Sequence, residues 1–320
     1  MNAPRTRRTA LLTVALLAPA LGPAGAGGPD AAREGAFDGS RVQWSQARLG
    51  ASKFFMSLDV DITLELVSAA AATASLGRHS TFDGLAAPAH TLSMRYFSEG
   101  FGRTSRVEML LDPASGSMLR RSTHDTGNRY RLRVYRYAQD KVLRLTRRPG
   151  NGEETRAPEA WSRFAEEIHV FPKHRPVLPV TEPAALIYLA AASGIRQAGD
   201  EFTIAAWSDD LLYTVSVRAT GMEKLRHDYT LTTAGGSDKQ KGRSEVLRIV
   251  IDGQLAGPQE HDDDEAFELL GLRDVELFLD PESRAPIMLT GRIPKIGQVE
   301  FELERLTLAT VSDTAPDPAG

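Results

Sequence analysis

The stretch SLDVDITLEL at residues 57–66 alternates without interruption between polar and apolar side chains. Leu58, Val60, Ile62 and Leu64 fall on one side of an extended chain, and acids and a threonine fall on the other. A period of two residues is typical of a β-strand that buries one face and leaves the other in water. The stretch therefore predicts a half-buried strand and a sheet around it.

Similar apolar runs separated by short turns continue along the chain. The predicted strands span residues 92–97, 105–111, 118–123, 129–137, 141–147, 202–207, 212–217, 227–232, 245–251, 274–279, 287–293 and 298–308. The turn sequences DPASG at 112–116 and DTGN at 125–128 carry Asp, Pro, Gly and Asn, which suit tight reversals. Consecutive hairpins are therefore the predicted topology, and the sequence GGSDKQKG at 235–242 is predicted to be a loop tip.

Two segments change to helical spacing. In residues 158–168, Trp161, Phe164 and Ile168 recur at that spacing behind a proline, which predicts a short amphipathic helix. Residues 181–193 predict a second helix, with a threonine as N-cap and a glycine just beyond the end.

About twelve strands and two short helices predict a mainly β fold: a large antiparallel curved sheet, or a barrel or half-barrel, with helices plugging or flanking it. The alanine-rich residues 68–85 are interpreted as a mixed or irregular crossing. A single β-rich domain is expected over residues 27–308, or two β halves that meet near residues 150–180. Residues 309–320 are expected to be a disordered tail.

The first residues have the organisation of an export signal. Arg5, Arg7 and Arg8 precede an apolar run over residues 10–21, and Ala24-Gly25-Ala26 offers a small-residue cleavage site. Residues 1–26 are therefore predicted to be a signal peptide of the Sec or twin-arginine type. The mature protein is expected to be periplasmic, with secretion as second choice and without a transmembrane segment, because no later apolar run approaches ~18 residues.

The composition excludes several classes of site. The chain has no cysteine, so it has no disulfide framework, no thiolate metal site and no lipid-carrying cysteine. Export and a net charge of −4 both argue against nucleic acid as a partner.

Two stretches are similar to one known family. In residues 184–221 a predicted helix is followed by GDEF at 199–202 and by the strand LYTVSV at 212–217. In residues 275–306, VELFLDP precedes a strand, a glycine turn and a last strand. These features resemble the bacterial exported proteins catalogued as domain of unknown function 3108. The resemblance implies export and β architecture, and it assigns no activity and no site residue. Such sheets look like periplasmic half-barrels that carry lipoproteins or lipids.

Cations dominate residues 120–148, where ten of them stand against two acids. Arginines at alternate positions of the predicted strand 129–137 share one face, which two tyrosines continue. The candidate residues for an anionic group are Arg129, Arg131, Arg133, Tyr135, Tyr137 and Arg144. A phospholipid or lipopolysaccharide headgroup or an acidic glycan would suit such a surface. The alternative is a solvated face that the acidic residues 260–280 neutralise.

Other clusters of acidic and histidine residues give weaker indications of a metal or catalytic site. The sequence HDDDE at 261–265 could hold Ca²⁺ but lacks the glycine turn and the spaced ligands, so a solvated acidic loop is favoured. Glu166, His169 and His174 lack the convergent spacing of a zinc site. Nucleophile-elbow and P-loop patterns are absent, so no catalytic residue, metal or cofactor is predicted.

Three functions remain open. The first is a non-enzymatic binding or carrier protein that shelters an apolar or amphipathic, lipid-like envelope ligand in a curved sheet. The second is an assembly or structural factor that docks a protein or anionic glycan through a basic sheet face or a sheet edge. The third is a hydrolase acting on envelope glycan or lipid. A cavity of about 300 Å³ or more, lined by apolar side chains on the inward faces of the strands, favours the first, and a filled interior counts against it.

Overall fold

The computed structural model describes residues 36–53, 56–77, 79–100, 102–259 and 266–309. The predicted signal peptide, the acidic loop at 261–265 and nearly all of the predicted tail lie outside the described residues. The first eight strands are β1 (Trp44–Lys53), β2 (Met56–Ser68), β3 (His90–Gly100), β4 (Arg103–Leu111), β5 (Met118–Gly127), β6 (Arg131–Tyr137), β7 (Lys141–Arg148) and β8 (Arg163–Val170). The others are β9 (Val180–Thr181), β10 (Glu201–Ser208), β11 (Leu211–Thr233), β12 (Gly236–Leu255), β13 (Arg273–Leu279), β14 (Pro286–Ile293) and β15 (Gly297–Leu308). The α-helices are α1 (Ala69–Leu76) and α2 (Leu186–Ala192).

The fifteen strands form one sheet in the order β8-β7-β6-β5-β4-β3-β2-β1-β15-β14-β13-β12-β11-β10-β9. From β1 to β8 each strand pairs antiparallel with the next, as the sequence predicts. Two pairings are parallel, between β9 and β10 and between the end of β11 and β15. The prediction of a mainly β protein with a large sheet and two short helices is confirmed, and the sheet is mixed rather than wholly antiparallel.

Helix α2 shows which face of the sheet is concave, because elements from distant parts of the chain surround it. All seven of its residues are buried. Tyr96 on β3 donates a hydrogen bond from its hydroxyl to the carbonyl of Ala184, just before the helix, at 2.6 Å. Leu189 lies against Gly116, in the turn between β4 and β5. The sheet therefore curves around α2, which fills its inner face.

The C-terminal end of α2 obtains its hydrogen-bond donors from arginines. The guanidinium of Arg284, between β13 and β14, donates to the carbonyls of Ala191 at 3.0 Å and Ala190 at 2.9 Å. Arg41 donates to the carbonyl of Ser193 at 2.8 Å. Because the last carbonyls of a helix have no partner within the helix, these arginines satisfy acceptors that burial would otherwise leave unpaired.

β8 and β9 are the two end strands of the sheet, and they do not pair with each other. We call the boundary between these ends the seam, and side chains make contacts across it. Trp207 on β10 packs against His169 on β8 and against Phe171, with ring centroids 5.5 and 5.6 Å apart. Arg144 on β7 pairs with Asp210, in the two-residue turn between β10 and β11.

The helix predicted over residues 158–168 is wrong. A 3₁₀ turn at Pro158–Ala160 leads into β8, which pairs antiparallel with β7. Phe164 and Ile168 are four residues apart, and this spacing returns a side chain to the same face in a strand as well as in a helix. Backbone pairing with β7 decides between the two.

The second predicted helix is present but shorter. Thr181 belongs to β9 and not to a helix cap, and a 3₁₀ turn at Pro183–Ala185 precedes α2. The other α-helix lies in the predicted irregular crossing: α1 is capped by Ser68, whose hydroxyl accepts from the amide of Ala71 at 3.3 Å.

Three corrections concern strands. β1 was not predicted, because its pairing with β15 shifts register twice and interrupts the alternation of side chains. The predicted strands at 212–217 and 227–232 are parts of one strand, the 23-residue β11. The predicted loop tip at 235–242 is mostly the start of β12, since Thr233 already pairs with Gly236.

Neither α-helix in the described ranges is long and apolar enough to cross a bilayer.

The role of Arg284 at the end of α2 gives a test of the fold. Replacing Arg284 by Leu should lower the free energy of unfolding by about 2–4 kcal/mol, because two buried carbonyls lose a charged donor. Urea unfolding followed by circular dichroism measures this. The control Arg292→Leu, an exposed side chain paired with Asp274, should change stability by less than about 1 kcal/mol. Equal effects of both variants would contradict the proposed capping.

Candidate functional site

The strands β4 to β8 carry charged side chains on both faces. The inner face lies toward α2 and includes the buried side chains of Met109 and Tyr137, which belong to the same hydrophobic core as α2. Along each strand, the residues that alternate with the inner-face residues point to the opposite side, and together they form the outer face. The two faces differ in how their charges are neutralised.

The inner face holds most of the predicted anion-binding residues. Tyr135 and Tyr137 are buried, and Arg131 and Arg144 are partly buried in ion pairs. We call this group the inner polar cluster: Arg121, Asp125, Arg131, Arg133, Tyr135, Tyr137, Arg144, Glu182 and Asp210. Arg129 lies outside it, in the exposed segment before β6.

Glu182 anchors the inner polar cluster below α2. Its carboxylate accepts from Arg121 at 2.7 Å and from the hydroxyl of Tyr137. Burial raises the pKa of Glu182 above the usual glutamate value, although Arg121 and Tyr137 oppose this by favouring the charged form. The guanidinium of Arg121 also lies over the ring of Tyr135, 5.4 Å from its centroid.

Arg131 and Arg144 are paired with acids from several elements. Among the described residues Arg133 forms no ion pair, and its buried Nε has no hydrogen-bond partner, although its charge acts on Asp125. Arg131 donates to Asp125 at 3.0 Å, and Asp125 also accepts from Ser105 at 2.9 Å. Arg144 pairs with Glu167 and Asp210. Arg121, Arg131 and Arg144 are therefore neutralised by acids from β5, β8, the segment before α2 and the turn after β10, and not by the described residues 266–280.

The outer face forms a cleft of about 500 Å³. We call it the outer cleft; it is lined by His79, Arg106, Glu108, Arg120, Ser122, His124, Leu132, Val134, Leu145, Arg147, Pro158, Glu159, Phe164 and Glu166. Strand register arranges the lining in rows: one row runs Arg106, His124, Leu132, Arg147, Phe164, and the next runs Glu108, Ser122, Val134, Leu145, Glu166. The floor is thus apolar at its centre and charged toward its sides.

The wall of the outer cleft is a loop held by Glu153. Its carboxylate accepts from the amides of Gly150 at 2.7 Å and Ser162 at 2.9 Å. These hydrogen bonds lower the pKa of Glu153 to about 2. Trp161, at the end of this loop, packs on His124 with ring centroids 5.7 Å apart. On the other side of the cleft, His79 lies 3.3 Å from Glu166.

The third row of the outer face brings two arginines together. Arg120 on β5 lies directly opposite Arg136 on β6. Burial lowers the pKa of Arg120; Glu108 opposes this more strongly than Arg136 adds to it, and Glu159 also acts to raise the pKa. Burial also lowers the pKa of Arg136. Within the part of the chain that the structure describes, neither guanidinium forms an ion pair with an acid.

Arg136 uses part of its hydrogen-bonding capacity on the backbone. It donates to the carbonyl of Gly77 at 3.1 Å, but its buried Nε has no partner. Two partly buried cations side by side repel each other, and each loses hydration. An anion near this pair would relieve both costs.

Sequence reasoning counted Arg120, Arg136 and Arg147 among the cations but did not select them. Alternation shows that a strand has two faces, and it does not show which face meets the core. The signal was present in Leu132, Val134 and Leu145, which alternate with the selected arginines and now form the floor of the cleft.

The predicted metal-ligand candidates lie apart. Glu166 faces His79, and His169 lies 3.6 Å from Asp210 across the seam. Among the described residues, no three histidine, aspartate or glutamate side chains are placed to hold a metal ion.

Comparisons with protein-family models, with curated proteins and with solved structures gave no match. The resemblance to the exported family therefore stays a prediction.

The buried carboxyl of Glu182 gives a pH-dependent test. Folding raises the pKa of Glu182, so just above the usual glutamate pKa the folded chain binds more protons than the unfolded chain. The contribution of Glu182 to the free energy of unfolding therefore falls as the pH rises through this range. The free energy of unfolding of the natural protein minus that of Glu182→Gln should therefore decrease between about pH 4 and 8. Urea unfolding at several pH values measures the difference.

The matched control is Glu65→Gln, which removes an exposed carboxyl paired with Arg95. The difference in free energy of unfolding between the natural protein and Glu65→Gln should be nearly independent of pH over the same range. If the difference in free energy of unfolding between the natural protein and Glu182→Gln does not change with pH, or increases with pH, the buried environment described for Glu182 is contradicted.

Proposed function

We propose that this protein is a periplasmic binding or carrier protein that holds an amphipathic, lipid-like envelope molecule with one anionic group in the outer cleft. The size of the cleft supports this, because ligand sites in proteins occupy about 300–1,000 Å³. Its lining joins the apolar side chains of Leu132, Val134, Leu145, Pro158 and Phe164 to a larger number of charged and polar ones, a mixture that suits an amphipathic ligand.

The observation that carries the proposal is the Arg120–Arg136 pair. Surface arginines are normally hydrated or paired, yet these two are partly buried, face each other, and have no acidic partner among the described residues. A carboxylate or phosphate could accept hydrogen bonds from both guanidinium groups. Arg120 lines the cleft and Arg136 lies beside it on β6, so we place the anionic group of the ligand at this end of the cleft.

The apolar part of the ligand would follow the floor of the cleft. Leu132, Val134 and Leu145 lead across β6 and β7 to Phe164 on β8. The outer face of β8 continues with exposed apolar side chains, since Phe164 is 50%, Ile168 48% and Val170 68% exposed. Exposed apolar side chains next to a cleft are typical of a binding surface.

The placement differs from a cargo enclosed by the concave face. Helix α2 fills that face, so the proposed ligand lies on the convex side, where Arg120 and Arg136 lack an acidic partner among the described residues. The proposed compartment rests on the export pattern of residues 1–26.

One observation favours docking of a partner protein instead. β8 is an end strand of the sheet, and its backbone edge together with the exposed Ile168 and Val170 could accept an added strand. Organic extraction of the mature protein from a periplasm, followed by mass spectrometry, separates the two functions. A stoichiometric lipid favours the carrier, and an extract without lipid favours partner docking.

Binding of a fluorescent long-chain fatty acid tests the site. The mature protein should bind the probe saturably, and Arg120→Gln should weaken binding by about 10- to 100-fold, because a hydrogen bond to a charged group is worth about 1.5–3 kcal/mol. Fluorescence titration gives both dissociation constants. The methyl ester of the probe should bind the natural protein about as weakly as the free acid binds Arg120→Gln.

The control variant is Arg292→Gln, which removes an exposed arginine far from the cleft in sequence and paired with Asp274. It should leave the dissociation constant unchanged. The proposal fails if the natural protein binds neither probe, or if it binds acid and ester equally well.

A further inference from the structure

The longest hairpin of the protein forms a two-stranded ribbon beyond the main pairings of the sheet. β11 pairs with β10 only as far as Arg218, and β12 pairs with β13 only from Leu247 onward. Residues 224–233 of β11 and 236–245 of β12 pair with each other beyond these points. We call these residues the ribbon. The register shifts at its base, next to Gly221, whose φ of 146° suits glycine.

One face of the ribbon is fixed to the body of the protein. Leu225, Tyr229 and Leu231 pack against the main core. Near the tip, residues 230–232 pair in parallel with residues 305–307 of β15. Because side chains alternate along a strand, the opposite face of the ribbon is turned to solvent.

The solvent face of the ribbon is cationic. It carries five cations and two acids, all exposed: Lys224, Arg226, Lys239, Lys241 and Arg243, with Asp228 and Glu245. Asp228 is engaged by Lys239 at 2.9 Å and Lys241 at 3.3 Å. Hydrogen bonds from these lysines lower the pKa of Asp228, so it stays charged.

The other three cations of this face form no ion pair among the described residues, although Lys224 lies directly opposite Glu245. Arg226 lies directly opposite Arg243, which places two like charges on neighbouring strands. Within the described ranges, Lys224, Arg226 and Arg243 form no ion pair. The face therefore has an unbalanced positive charge, although the whole chain has a net charge of −4.

The shape of this face indicates the kind of partner. It is an extended ribbon, with cations spaced by about 4.8 Å across the strands and about 6.8 Å along them. Its cations lie in a row on an extended surface, which suits a broad anionic surface rather than a single small anion. Met222, 47% exposed, lies at its base and could enter the interface between headgroups and acyl chains.

We propose that the solvent face of the ribbon docks the protein onto an anionic phospholipid bilayer. Lysine and arginine clusters are attracted to the negative surface potential of such membranes, and salt weakens that attraction. The acidic remainder of the chain is repelled, so the ribbon orients the protein on the bilayer. This proposal is independent of the ligand in the outer cleft.

Co-sedimentation with lipid vesicles tests the docking surface. The mature protein should bind vesicles that contain phosphatidylglycerol in phosphatidylcholine, should not bind vesicles of phosphatidylcholine alone, and should lose most of its binding at high salt. The triple variant Lys224→Gln, Arg226→Gln, Arg243→Gln should bind at least tenfold more weakly. Fatty-acid binding by the same variant should be unchanged, which separates this proposal from the cleft.

The matched control neutralises three exposed cations elsewhere, with Arg163→Gln, Lys173→Gln and Arg292→Gln. It has the same net charge as the ribbon variant and should bind vesicles nearly as well as the natural protein. Circular dichroism confirms that both variants are folded. Equal losses in both variants, no binding of the natural protein to anionic vesicles, or retention on an acidic polysaccharide without vesicle binding would each overturn the proposal.

Discussion

Helix α2 lies on the concave side of the sheet, and its buried backbone groups have to be hydrogen-bonded there. Arg284 and Arg41 supply donors to the carbonyls at its C-terminal end, and Tyr96 donates to the carbonyl of Ala184 just before it. These residues come from three separate parts of the chain, so the helix can be satisfied only when the sheet has curved around it. α2 therefore occupies the part of the concave face against which it packs.

This constraint explains why charged side chains on the inner face of β4 to β8 form more ion pairs than those on the outer face. Charged side chains that enter the interior beside α2 need partners, since an unpaired buried charge costs several kcal/mol. Glu182, Asp125 and Asp210 provide them for Arg121, Arg131 and Arg144, and Arg133 acts on Asp125 without forming an ion pair in the described part of the chain. On the outer face Arg120 lines the open cleft and Arg136 is partly exposed beside it, so both keep some hydration without an acidic partner among the described residues. The unneutralised pair is thus on the face that a ligand can reach.

The alternation of side chains predicted most of the sheet, because periods of two residues are local and the turns between strands carry Asp, Pro and Gly. It failed where longer-range pairing decides. β8 has apolar residues four apart, which fits two kinds of element, and pairing with β7 selects the strand. β1 contains irregularities of register that only β15 explains.

The candidate site was harder to predict than the fold. The cationic segment 120–148 was recognisable, but one strand cannot show which of its faces meets the core. Arg131 and Arg133 point inward and Leu132 and Val134 point outward, the reverse of the simplest expectation for apolar and charged side chains. The opposition of Arg120 and Arg136 depends on the register between β5 and β6, which no local pattern contains.

The central claim is that the ligand site lies on the outer face and not beside α2. Methyl-labelled nuclear magnetic resonance spectra of the mature protein, recorded during titration with a long-chain fatty acid, test it directly. The methyl signals of Leu132, Val134 and Leu145 should shift progressively, while those of Leu186, Ile187 and Leu189 in α2 should stay in place. Shifts concentrated in α2, or no shifts at saturating ligand, would contradict the account.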